Sequence, residues 1–322
     1  LKNAIILYLD NKIHGIISYE SFFNYALIRY FVFKRGVDEM IVKELFDTIE
    51  VDDWFKNEHK ERFIEKWLIN AVRIAFNEGS YNTEGVLVFQ GDQGIGKTRW
   101  IKSIVPSLNW VKTGIEVDPS DKDKVNLATK YWVTELGEMD STLKREQGKL
   151  KAFFTESKDE YRLPYARAAE CYPRQTIFYA TVNDEEFLKD TTGNRRYWVL
   201  PVVKINVNHK IDLDQLWGEV MYLWKDEQKE HYLTKEDMEI LSDNNKGFEV
   251  KDPIYIKVDN AFDWKAPTEE WSNMKATEIA SILGINNPTI LGIRLKEFGA
   301  LKKRTNKCII WTVPPLKDVN PS

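Results

Sequence analysis

Apolar residues recur along this chain with two different periods, and the change between them marks its organisation. Residues 1–82 read as mostly helical. Phe63, Trp67, Ala71 and Ile74 recur at helical spacing within a charged stretch. From residue 83 the pattern changes to short apolar runs separated by helices. Residues 86–89 (Val-Leu-Val-Phe), 131–134 (Tyr-Trp-Val-Thr) and 176–180 (Thr-Ile-Phe-Tyr-Ala) are predicted strands. Runs that are apolar at nearly every position suit strands buried on both faces, hence a parallel sheet in an α/β core.

After Pro201 a helix carries Leu213, Leu216, Trp217, Val220 and Trp224 on one face, with Asp212 as its N-cap. The polar residues 243–247 read as a linker, and the last module runs from 251 to 322. There, residues 274–284 form a short helix stopped by Gly284. Asn287-Pro288 opens a second helix that carries Leu291, Leu295 and Phe298 and stops at Gly299. A basic turn, residues 302–307, precedes a strand at 308–313. Helix, turn, helix, then basic hairpin is the order of a winged helix. The expected division is a helical domain (1–82), an α/β core (83–205), a helical lid and linker (206–250) and a winged helix (251–322).

The 322 residues carry a net charge of −4, which excludes a globally basic nucleic-acid binder. Local bias is another matter. From Arg294 to Lys317 seven Lys or Arg stand against one acid, Glu297. Asn287, Thr289, Arg294 and Lys296 are candidates for a DNA groove, and Lys302, Lys303, Arg304 and Lys307 for phosphates. Two cysteines and four dispersed histidines suggest neither a disulfide framework nor a metal cluster and fit a reducing, cytoplasmic compartment. No apolar run reaches the length of a membrane span. The eleven tryptophans read as core and interface anchors. The chain opens at Leu1 rather than Met, which leaves room for a domain upstream.

Residues 91–98, Gly-Asp-Gln-Gly-Ile-Gly-Lys-Thr, fit G-x-x-x-x-G-K-[ST] between a predicted strand and a predicted helix. Gly91, Gly94, Ile95 and Gly96 would curl backbone N–H groups around phosphates at a helix N-terminus. Lys97 would reach the terminal phosphates of ATP and the Thr98 hydroxyl would hold Mg²⁺. Hydrolysis also needs a carboxylate on the metal and another on water. Glu135 and Glu138, at the end of the second strand, supply both, with Glu135 assigned to the metal and Glu138 to water, or the reverse. Asn183 closes the third strand, where it would bond water or the γ-phosphate. Arg195 and Arg196 follow a turn. In a ring ATPase, one such arginine would reach a neighbour's γ-phosphate, an effect typically of about 10³–10⁵ in rate.

Taken together, these segments resemble the virulence-associated protein E family, helicase-like ATPases of phages and mobile genomic islands related to superfamily 3. The segments are residues 90–98, 135–140, 159–165, 173–175, 180–183, 192–198 and Leu216-Trp217. The resemblance implies an AAA+ P-loop core assembled as a homo-hexamer with ATP between subunits. Lys97 and Thr98 become the Walker A pair, Glu135 and Glu138 the Walker B acids, Asn183 the sensor, and Arg195 or Arg196 the finger in trans. It also implies a DNA-gripping hairpin over residues 158–174. That segment offers Arg162, Tyr165, Arg167 and Arg174 to a single strand. The implied partners are channel single strand, an origin duplex at the winged helix, and a primase or other replication protein. Two other readings remain: an origin binder whose ATPase only switches assembly, and a small-metabolite kinase. The kinase would leave the paired arginines and the winged helix without purpose.

Overall fold

The short apolar runs meet in one sheet. The computed structural model describes residues 25–27, 29, 30, 33, 41–77, 80–137, 147–161, 170–188, 194–250, 253–304 and 308–317. The chain divides into two compact units, Leu1–Glu249 and Val250–Ser322. In the first, α1 (Ile41–Phe46), β1 (Ile49–Val51) and α2 (Asn57–Ala75) precede β2 (Val86–Gln90), α3 (Lys97–Ile104) and β3 (Val111–Ile115). Then come α4 (Lys122–Thr129), β4 (Val133–Leu136), α5 (Gln147–Thr155) and a hairpin of β5 (Lys158–Tyr161) and β6 (Glu170–Pro173). β7 (Ile177–Val182), β8 (Tyr197–Ile205), α6 (Leu213–Lys225) and α7 (Lys235–Asn245) complete it.

The sheet order is β1-β8-β2-β7-β4-β3. All neighbours are parallel except β1, which pairs antiparallel with β8 at one edge. Alternate residues serve opposite faces. Leu87, Phe89, Val133, Ile177, Tyr179, Trp198 and Leu200 pack with α2, α3 and α6. Val86, Val88, Phe178, Ala180 and Val199 pack with Leu150, Phe153 and Phe154 of α5 and with Phe248. Both faces are covered, which is why the strands read as unbroken apolar runs. Phe63, Trp67, Ala71 and Ile74 of α2 are all buried in the core that the strands share.

Tryptophan holds that core in a directional way. Trp67 donates to the Phe178 carbonyl at 2.9 Å and Trp132 to Ala71 at 2.9 Å. Trp217 donates to Ile104 at 2.8 Å and Trp100 to the Thr48 hydroxyl at 2.7 Å. Each indole therefore buries a large apolar body while its one donor is satisfied.

Residues 243–247 are not the expected linker. They are the end of α7 and the start of a 3₁₀ turn, Lys246–Phe248. A capping box between Thr234 and Asp237 starts the helix. The polar ending misleads because Asn245 is 1% exposed, its amide bound to backbone carbonyls rather than to water.

Arg174 also differs from expectation. It sits at the root of the β5–β6 hairpin, 1% exposed, so it is not a DNA contact. Its guanidinium makes a bidentate pair with Asp159, one arm at 2.9 Å, bonds the Phe153 carbonyl, and lies over the Phe153 ring at 4.3 Å. Arg162, Tyr165 and Arg167 lie outside the described residues.

The second unit has its own core of Val258, Phe262, Ile279, Leu291, Leu295, Trp311 and Val313. Its elements are α8 (Pro253–Ala261), β9 (Ser272–Lys275), α9 (Ala276–Leu283), α10 (Pro288–Glu297), β10 (Leu301–Arg304) and β11 (Ile309–Val313). Gly284 ends α9 in the left-handed conformation, and Asn287 caps α10 by accepting from Thr289 and Ile290. The three strands form an antiparallel sheet in the order β10-β11-β9. Among the described residues no helix is long and apolar enough to cross a membrane.

The hairpin root makes a stability prediction. Removing one partner of a buried ion pair strands the other's charge, at about 3–5 kcal/mol. Asp159→Ala is expected to lower the urea unfolding free energy by about that amount. An unchanged midpoint would show that the pair contributes nothing net.

Candidate nucleotide site

Parallel strands bring their C-terminal ends to one edge, and the candidate residues gather there. The loop from Gly91 to Gly96 joins β2 to α3. Three of its glycines are required by the backbone: Gly91 has φ +150, and a Cβ there would meet the Val202 carbonyl oxygen at 2.1 Å. Gly94 has φ +90 with open space where a Cβ would project. Gly96, with φ +103, is the N-cap of α3, and a Cβ there would meet Val207 at 2.6 Å. α3 also begins without a side-chain cap and without an acid in its first turn. By contrast, Asp121 caps α4 and Asp212 caps α6, as expected for the latter. The positive end of α3 is thus left to other anions.

Lys97 is buried, and its Nζ donates to the carbonyls of Gly91 and Asp92, the latter at 2.9 Å, and to Asn183 Oδ1 at 2.8 Å. Thr98 Oγ1 donates to Glu135 Oε1 at 2.7 Å. Strand periodicity places these groups. Glu135 on β4 and Tyr179 and Thr181 on β7 point to the α3 side of the sheet, and Glu135 pairs in register with Tyr179. Thr181 Oγ1 donates to the same Glu135 oxygen at 3.0 Å. Burial first, then the Glu135 charge, pushes the Tyr179 phenol above its ordinary range. Thr181 was not singled out in the sequence, although it stands two residues before Asn183, near the end of β7. Glu138 lies outside the described residues.

These residues fit a triphosphate with a divalent cation. Lys97 donates to neutral oxygens, over which anionic phosphate oxygens would be preferred acceptors. The Thr98 and Glu135 oxygens, 2.7 Å apart, approach the roughly 3.0 Å spacing of adjacent ligands in a magnesium octahedron with bonds of about 2.1 Å. Among the described residues no group of three His, Cys, Asp or Glu could hold a metal by itself. Such a cation would therefore share its shell with phosphates and water, as Mg²⁺ does in nucleotide sites. Beside the loop a cleft of 460 Å³ is lined by Asp52, Trp54, Gly91, Asp92, Glu185 and Gly247, among others.

Arg195 and Arg196 lie at the other end of the sheet. β8 runs parallel to β2 with Tyr197 opposite Val86 and Pro201 opposite Gln90. The arginines precede Tyr197 in the turn Asn194–Arg196, so about 15 Å of strand separates them from the loop of their own chain. That exceeds the reach of a side chain. Arg195 is exposed and Arg196 half-buried. Burial, then the neighbouring Arg195 charge, lowers the Arg196 guanidinium from its usual range.

In the second unit a groove of 840 Å³ runs between α10 and the β10–β11 hairpin, lined in part by Thr289, Ile293, Lys296, Leu301, Lys302 and Trp311. Lys296, Lys302, Lys303 and Arg304 are exposed. Arg294 is instead bound to Glu297 through both carboxylate oxygens, at 2.7 and 2.8 Å. Lys302 Nζ lies 5.7 Å from the Trp311 ring centre. Lys307 falls outside the described residues.

Glu135→Gln keeps the shape of the pocket and removes its charge. If the pair holds the cation, the Mg²⁺ dependence of fluorescent ATP binding should fall at least about tenfold, with binding in EDTA retained. An unaltered Mg²⁺ dependence would refute the assignment.

Comparison with known proteins gives three findings. No curated protein matches the chain significantly. Two solved structures of the NrS-1 C-terminal region, both A-form and apo, align with it at 14% and 13% identity and TM-scores of 0.47 and 0.46. Each alignment covers 87% of this chain, and 76% and 77% of the respective other chain. The model of the virulence-associated protein E-like domain matches residues 38–250, most of the chain, and the protein belongs to that family.

Proposed function

We propose that this protein is an ATP-driven DNA-unwinding motor that acts in the replication of a phage or mobile element. In this reading residues 83–205 are an AAA+ P-loop core, 206–250 its lid, 1–82 an oligomerising collar and 251–322 a winged helix for origin DNA. The observation that carries it is the convergence of Lys97, Thr98, Glu135 and Asn183 at one sheet edge, with Lys97 on Asn183 and Thr98 on Glu135. Membership of the virulence-associated protein E-like family supports the same reading.

Each residue then has a task in hydrolysis. Lys97 and the loop N–H groups bind the phosphates. Thr98 and Glu135 would hold Mg²⁺, which would supply charge neutralisation on the phosphates. Asn183 orients the attacking water, and Glu138 accepts its proton as the bond from the γ-phosphorus to its bridging oxygen breaks. The 2.7 Å Thr98–Glu135 contact favours Glu135 on the metal side. The register of β8 favours arginines that act in trans, because their own loop is out of reach. A hexameric ring meets that requirement at every interface. The single strand would pass through its channel, gripped by Arg162, Tyr165 and Arg167, with a primase or other replication protein at hand.

Lys97→Ala tests the motor. It is expected to abolish both DNA-stimulated ATP hydrolysis and unwinding of a forked duplex, and full unwinding by the variant would remove the proposal.

The alternative, an origin binder whose ATPase switches assembly without processive unwinding, draws on the second unit. That unit has its own core, and Lys296 and Lys302 flank its groove. Deleting residues 251–322 separates the two. A motor keeps unwinding on a preformed fork, whereas a pure binder loses all DNA activity.

A further inference from the structure

The turn that carries Arg195 and Arg196 is held from α7. Asn245, the last residue of that helix, donates through Nδ2 to the carbonyls of Asn194 and Tyr197, each at 3.0 Å. These carbonyls flank the two arginines. Two acceptors on one side of the amide fix its orientation, since only the NH₂ end can serve both. Oδ1 of Asn245 is buried and has no partner among the described residues. The amide is thus kept in a dry place at the cost of an unsatisfied acceptor, which packing alone does not call for. A second bond closes the clamp. Asn194 Nδ2 donates to Glu249 Oε1 at 3.0 Å. The same short segment reaches the cleft beside the phosphate loop, where Gly247 and Phe248 are lining residues along with Gly91 and Asp92.

We infer that Asn245 is a positioning residue for the trans-acting arginines, fixing the backbone of residues 194–197 so that Arg195 and Arg196 are presented to the neighbouring subunit's nucleotide. This rests on the ring ATPase reading above. An arginine that completes a site across an interface needs a fixed stem, because a misplacement of about 1 Å is enough to lose about a hundredfold in rate. A 3₁₀ turn of three residues bearing two like charges has little of its own to supply that rigidity. Asn245 supplies it from outside the turn, and does so from the chain segment that borders the cleft beside the glycine loop of its own subunit.

Mixed assemblies of full-length chains test the inference. Asn245→Asp is isosteric but replaces the donor with a charge facing two carbonyls. Alone, it should lower ATP turnover at least tenfold with nucleotide affinity within threefold of the parent. Mixed in equal amounts with Lys97→Ala, itself inactive, it should regain activity. Random mixing places an intact loop beside an intact arginine turn at about a quarter of head-to-tail interfaces. The control is the double variant Arg195→Ala/Arg196→Ala, mixed in the same way.

Undiminished turnover in Asn245→Asp overturns the inference. So does failure of the mixture to recover while the double-arginine control recovers, since Asn245 would then act within its own subunit. If the control does not recover either, the trans reading itself fails. Should Asn245→Asp not fold, Asn194→Ala opens the other half of the clamp and is expected to complement Lys97→Ala in the same way. Its failure to do so beside a recovering control counts equally against the inference.

Discussion

A strand inserted between two others governs the chemistry of this protein. β7 lies between β2, which leads into the glycine loop, and β4, which carries Glu135. A loop and an acid on adjacent strands would leave no room for a third group. With β7 between them, Thr181 and Asn183 enter the gap, one on the carboxylate and the other on the lysine. The parallel pairing does the rest, because it delivers all three strand ends to one edge while both faces are sealed by helices. Buried tryptophans add directional bonds to area: Trp67 ties α2 to β7, Trp217 ties α6 to α3, and Trp100 ties α3 to Thr48 just before β1.

Much of this was legible beforehand. The glycine loop, the helix after it and the Asp212 cap announce themselves because local chemistry demands particular residues: glycine where φ is positive, a carboxylate where a helix begins. The continuous apolar runs announced a sheet covered on both faces. Asn183, which bonds Lys97, stood out because it directly follows a strand. Thr181 did not, because a threonine in a β-strand is an ordinary occupant until its partner across the sheet is known.

Contacts between distant parts of the chain misled. Arg174 and Asp159 are fifteen residues apart, and the arginine looked like a free cation because nothing in the sequence shows that a carboxylate and a ring will enclose it. Residues 243–247 looked like a linker for the same reason. Their polarity serves backbone carbonyls some fifty positions away rather than solvent. The arginine turn shows a third case. Its residues were visible, but its place at the far end of the sheet follows only from the β2–β8 register.

The pocket around Glu135 has a further property. Two of the hydrogen bonds that Glu135 accepts come from threonine hydroxyls, which turn freely about a single C–O bond. Swivelling the Thr98 proton away would expose a lone pair without shifting any heavy atom. The carboxylate side of this pocket can thus be opened by a turn of one O–H, whereas Lys97 is tied to the carbonyls of Gly91 and Asp92.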